Sequence, residues 1–168
     1  MTRFSFERHG AAYVPIDIKP FTDITMLPIE FKVDTGADTT TISKPDLLLL
    51  GYDMNWIKKN VVISTDENKP TTASGDIVNA GYIQLPLINL LGYEGKHWPF
   101  LVIVDENKDF RNLLGRDLLS GFNYQFDNDN NAFSIGMTKV FKPRYKFLPG
   151  QEINEMVSDT IKCPVERV

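Results

Sequence analysis

The residues best suited to do chemistry lie at 31–43, where the chain reads FKVDTGADTTTIS. Asp34 closes an apolar run and is followed by Thr35, Gly36, Ala37 and a second acid, Asp38. Acids are poor strand residues, and a buried carboxylate is unfavourable unless it is paired or hydrogen-bonded. An acid placed between one strand and the next sits on a tight loop at the mouth of a sheet. Gly36 allows that loop to turn sharply and to approach a ligand closely, and the Thr35 hydroxyl can tie it to a neighbour. The loop then presents one rigidly held carboxylate to a cleft. One carboxylate is a modest catalyst. Two in contact share a proton, so one can act as base while the other acts as acid. The chain holds one Asp-Thr-Gly and no Asp-Ser-Gly, so a dyad requires a second Asp34 from another copy across a two-fold axis.

VDTGADTTTIS resembles the catalytic loop of the retroviral-like aspartic proteases, the single-domain, dimeric relatives of the pepsin class. Their second signature, two apolar residues and a glycine before a short helix, is matched by LLGRDLL at Leu113 to Leu119. The resemblance implies that this segment packs beneath the catalytic loop. It also implies that Arg116 pairs with Asp38, which makes Asp38 structural rather than catalytic. Between the signatures the family places a flap that closes over substrate. TTASGDIVNAGYIQL fits that role, with Ala73, Ser74 and Gly75 at or near the tip and DIVNAGYIQL as the returning strand. The resemblance further implies that Thr35 braces two loops across the dimer axis. Gly36, Ala37 and Asp38, together with the flap, would hold an extended peptide by β-augmentation. Neither metal nor cofactor is implied.

In element order the resemblance covers roughly residues 12 to 136, and only the two signatures are specific to the family. The chain departs from the viral pattern in three places. The flap tip carries only Gly75, with Gly81 further along; STDENKPTT lengthens the polar approach to it; and the tail beyond Gly136 is longer. The last difference implies that the dimer sheet, which viral enzymes build from their termini, is assembled differently here.

The elements around these residues read mostly as strands. AYVPIDIK alternates, with Pro15 confining it to an edge or a strand end. MLPIEFKV leads into the loop and TTTIS leaves it. WIKKNVVIST, DIVNAGYIQLPLINL, WPFLVIV, NYQFD and AFSIG follow, separated by Gly, Asn, Asp or Pro. Two short helices interrupt them. In SKPDLLLLGYD, Ser43 is the N-cap, Pro45 lies in the first turn and Gly51 takes the position past the end. In GRDLLSGF, Asp117 caps a single turn that stops at Gly121. From about Lys139 the pattern degrades into an appended arm or tail.

The 168 residues, 42% hydrophobic and 24% charged, suffice for one domain with a core. A net charge of −4 lacks the footprint of a nucleic-acid binder. Cys163 is the only cysteine, so no intramolecular disulfide forms, in keeping with a reducing, cytoplasmic setting. MTRFSFERHG lacks the apolar stretch of a signal peptide, and LPLINLLGY and FLVIV are too short to cross a bilayer.

Other motifs fall away. A calcium loop starting at Asp127 needs Gly and Glu where Ala132 and Thr138 stand, so DNDNN reads as a hairpin turn. The Asp-x-Asp of haloacid-dehalogenase-type phosphoryl transfer fails at Gly36. His9 and His97 lack zinc-protease spacing. TKVFKPRYKF interleaves cations with aromatics, but an edge strand guarded by lysines accounts for it better than nucleic acid. Trp56 and Trp98 read as core or barrel wall.

The sequence therefore predicts an all-β, small closed barrel of the retroviral protease type, with one or two short helices, acting as a homodimer. Residues 1–136 form the protease domain, and 137–168 a C-terminal extension serving as dimer arm or tail. The expected function is hydrolysis of peptide or protein substrates by an Asp34/Asp34′ dyad, with no nucleic-acid or membrane partner. The alternative is the same fold kept as a dimerisation or peptide-binding module with little or no proteolysis.

Overall fold

The computed structural model describes residues 1–6, 10–63, 75 and 79–138. Alternating burial sets the central strands. β2 (Tyr13–Ile18) buries Val14, Ile16 and Ile18, and β3 (Leu27–Val33) buries Ile29, Phe31 and Val33. The two pair antiparallel from Tyr13↔Lys32 to Ile18↔Leu27. β5 (Ala80–Leu90) reaches β2 only at Asp17 and Ile18, which leaves Pro15 beside a single strand and makes its missing N–H harmless.

β5 and β6 (Tyr93–Ile103) form a long antiparallel hairpin. Its turn holds Leu91 and Gly92 at φ 50° and 92°, the left-handed pair that a two-residue hairpin requires. β4 (Val62–Ile63) pairs with the start of β5, and β7 (Leu113–Leu114) runs parallel to the end of β3. The six-stranded sheet has the order β4-β5-β2-β3-β7, with β6 also on β5.

The fold is mostly β, as the sequence predicts. Among the described residues, a closed barrel is not seen in the strand ladders: β6 and β7 do not pair directly, and only isolated bridges at Thr41 join them. TTTIS, expected as a strand, contributes only Thr41, which makes single bridges to Leu101 of β6 and Leu113 of β7. The extended run is cut short because Ser43 caps a helix immediately after it.

That helix, α1 (Lys44–Leu49), forms as its residues predict. The Ser43 side chain accepts from the Asp46 N–H, Pro45 lies in the first turn, and Gly51 takes φ 89° just past the end. α2 (Met54–Asn60) replaces most of the strand expected at WIKKNVVIST. The Asp53 carboxylate caps it by accepting from the Trp56 N–H at 2.8 Å, and the Tyr52 and Trp56 rings pack 4.6 Å apart. In α3 (Arg116–Leu119) the N-cap is Gly115, not Asp117. Among the described residues, three helices thus stand where one or two were expected.

β1 (Thr2–Ser5), β9 (Ala132–Met137) and β8 (Phe122–Asp127) make a second, antiparallel sheet in the order β1-β9-β8. The β8–β9 turn is the DNDNN segment. Asp127 accepts from the side-chain amide of Asn130 at 2.8 Å and from its backbone N–H at 3.1 Å, which lowers the Asp127 carboxyl pKa. β9 runs one residue past the domain boundary expected at 136, and the extension from 139 onward lies outside the described residues.

Trp98, Phe31 and Phe100 lie at the centre of the main core, with Trp56 packed against its side. Ala80, Tyr82, Leu101 and Ile103 form a second, smaller cluster. Among the described residues, no helix is long and apolar enough to cross a membrane.

Burial pushes the Tyr93 phenol up to about 12 from its ordinary 10.0. Between those values the folded chain keeps a proton that the unfolded chain gives up, so stability should fall as pH rises through that interval. Urea melts of wild type and Tyr93→Phe at about pH 9 and pH 11 test this. The wild type should lose stability relative to the variant, and parallel pH dependence would refute the assignment.

Candidate active site

Asp34 follows the last residue of β3. The parallel β3–β7 pairing, which ends at Val33↔Leu114, carries on for one more bond as the Asp34 N–H donates to the Leu114 carbonyl at 3.1 Å. The chain then reverses. The Ala37 N–H donates to the Asp34 carbonyl at 3.2 Å, and the Gly36 N–H donates to Asp34 Oδ1 at 2.9 Å. The carboxylate is half-buried, with one oxygen oriented by backbone. A Cβ on Gly36 would lie 3.2 Å from that oxygen, so glycine here serves close approach to the carboxylate.

The descending limb is fastened to α3. The Ala37 carbonyl accepts from the Arg116 N–H at 2.9 Å, and the Asp38 carbonyl from the Asp117 N–H at 3.3 Å. The Arg116 guanidinium forms an ion pair with the Asp38 carboxylate. Both side chains are about half exposed (45% and 60%), so the pair contributes at most ~1 kcal/mol. It orients the loop more than it stabilises the fold. Thr35 and Gly36 are exposed and Ala37 is half-buried.

The structure therefore brings together Asp34, Thr35, Gly36, Ala37, Asp38 and Arg116. Ala73 and Ser74 lie outside the described residues, so the flap tip is not part of this geometry. Gly75 takes φ 85°, and a Cβ there would meet nothing within 4 Å.

Four groups that the sequence reading did not single out complete the site. Asp117 is buried on α3, with its carboxylate turned into the limb below the loop. There it meets Thr40, which is fully buried. Thr39 Oγ1 lies 3.3 Å from the Tyr82 hydroxyl, a hydrogen bond that links the loop to β5. A signal for Asp117 was present in the sequence: an acid following Gly-Arg and directly preceding two leucines has one face toward the core. The capping assignment obscured it. No family model, curated protein or solved structure matches the chain.

Proposed function

We propose that the chain is a retroviral-like aspartic endopeptidase, active as a homodimer in the cytoplasm. One observation carries this reading. A half-buried Asp34 carboxylate, oriented by the Gly36 N–H, sits on a turn fastened at one limb to β7 and at the other to α3.

Across the dimer the two Asp34 carboxylates hold one proton and one water. The ionised carboxylate takes a proton from the water as its oxygen attacks the scissile carbonyl carbon. The protonated one gives its proton to the carbonyl oxygen, producing a tetrahedral diol. Collapse of the diol breaks the C–N bond, and the amine leaves with a proton returned by the dyad. No bond to the protein forms. Thr35, exposed at the turn, braces its counterpart, while Gly36 to Asp38 and the segment at 71–85 align an extended peptide.

Cleavage of unfolded protein, followed over a dilution series with sedimentation alongside, tests the shared dyad. Activity per chain is expected to fall in step with the dimer fraction. Undiminished cleavage by a sedimenting monomer refutes the mechanism, and a folded dimer that cleaves nothing transfers the reading to a peptide-binding module.

A further inference from the structure

Asp117 is 2% exposed and carries a carboxylate. A buried carboxylate of this kind is tolerated only where hydrogen-bond donors surround it. Thr40 is one source of them. Thr40 donates its backbone N–H to both Asp117 oxygens at 3.1 Å and its hydroxyl to Oδ1 at 2.6 Å. The Leu118 N–H adds a further bond to Oδ1 at 2.8 Å. The Thr40 hydroxyl in turn accepts from the Gly115 N–H at 3.1 Å, so one oxygen links both sides of the start of α3.

Thr40 lies at the foot of the limb that descends from Asp34. Above it, the Arg116 and Asp117 N–H groups hold the Ala37 and Asp38 carbonyls. Those bonds fix the upper limb to the helix backbone. At the foot, the Thr40 carbonyl accepts from the Leu101 N–H at 3.0 Å, and Thr41 exchanges backbone bonds with Leu113, so the limb is held to β6 and β7. The Asp117 carboxylate adds the side-chain tie between this foot and α3. Without it the foot of the limb loses its side-chain tie to α3, and the backbone bonds above it are left to set the height of the Asp34 carboxylate.

We propose that Asp117 is a positioning residue for Asp34, clasping Thr40 so that the turn is held at the height at which two Asp34 carboxylates can share a proton. The inference rests on the peptidase reading. Displacing a reacting group by about 1 Å can slow a reaction roughly 100-fold, so the effect belongs in kcat rather than in KM.

Asp117→Leu keeps the branching at Cγ and removes the acceptor, in a bulkier side chain. Per folded dimer, kcat should fall about 100-fold with KM changed less than about threefold. Asp117→Asn keeps one acceptor oxygen for the Thr40 hydroxyl and should return kcat to within roughly tenfold of wild type. If Asp117→Leu does not fold, Thr40→Val removes the hydroxyl, and with it both the bond to Asp117 and the acceptor of the Gly115 N–H, while leaving the Thr40 backbone bonds, and should lower kcat roughly tenfold. Amide exchange in the same variants gives a readout independent of catalysis, with protection expected to drop across 34–40.

A kcat per folded dimer that stays at the wild-type value overturns the proposal, as does unchanged amide protection, because a merely structural acid would lower melting temperature alone. Failure of the asparagine variant to recover activity overturns it as well. A wild type that cleaves nothing, yet loses loop protection in Asp117→Leu, overturns the peptidase reading and the catalytic role while leaving the clasp itself established.

Discussion

Asp34→Asn should lower peptide cleavage by about a thousandfold or more while leaving the fold in place. The amide has the volume of the carboxylate and keeps an oxygen for the Gly36 N–H, which now donates to Oδ1 at 2.9 Å. Stability should therefore change by no more than ~0.5 kcal/mol, as for most partly exposed positions. What the amide lacks is a basic oxygen and an acidic proton, and the proposed chemistry uses both. Wild type and variant should be compared from about pH 3 to pH 8 on an unfolded protein mixture, with products read by mass spectrometry. Mixing the two chains adds a sharper test, because a mixed dimer has only one carboxylate. Excess variant should suppress wild-type activity as mixed dimers replace wild-type ones. Equal cleavage by both chains would assign the hydrolysis to another group.

Gly115→Val should destabilise the fold by about 3 kcal/mol, equivalent to roughly 6–12 °C in melting temperature. Backbone strain is not the reason, since Gly115 has φ −90° and ψ 177°, which any residue adopts. Space is the reason. A Cβ there would lie 2.6 Å from the Thr39 carbonyl carbon, 2.7 Å from its oxygen and 2.9 Å from the Thr40 nitrogen. All three are backbone atoms, so no flexible side chain can give way. The start of α3 would have to lift from the limb, taking the Gly115–Thr40 hydrogen bond with it. Thermal melts would reveal the loss, and cleavage per folded dimer should decline too. A melting temperature equal to that of wild type would show that α3 does not lie against residues 39 and 40.

Parts of this architecture were legible from residue types alone. Alternation in YVPIDI and LPIEFKV gave the faces of β2 and β3, and Ser43, Pro45 and Gly51 marked both ends of α1. α2 was misread because Trp56, Ile57, Val61 and Val62 favour strands one by one. The signal that decided the outcome was Asp53, a cap three residues before Trp56, combined with the i, i+4 contact of Tyr52 and Trp56. β1 carries Arg3 between Thr2 and Phe4 and shows no strand-like run until β9 is placed beside it. β6 begins at Tyr93, well before WPFLVIV, because charged EGK pairs outward across the hairpin from Leu87 to Asn89. The Asp38–Arg116 pair spans a separation that no local rule bridges, and it came from the family resemblance alone. Asp117 shows the limit most clearly. An acid two residues after a glycine reads as a cap, and the packed limb shows that it faces Thr40 instead.

The pairing of β1 with β9 also has a consequence for how the molecule is made. Thr2 stands opposite Ile135, so β1 has its partner in a strand made more than a hundred residues later. At cellular synthesis rates of about 5–20 residues per second, that partner emerges roughly 7–27 seconds later. Until then Phe4 has no β9 strand beside it, and the central sheet has to assemble without the second one. Contacts so distant along the chain slow folding. A message cut short before the codon for Ala132 would leave β1 and β8 with no strand between them.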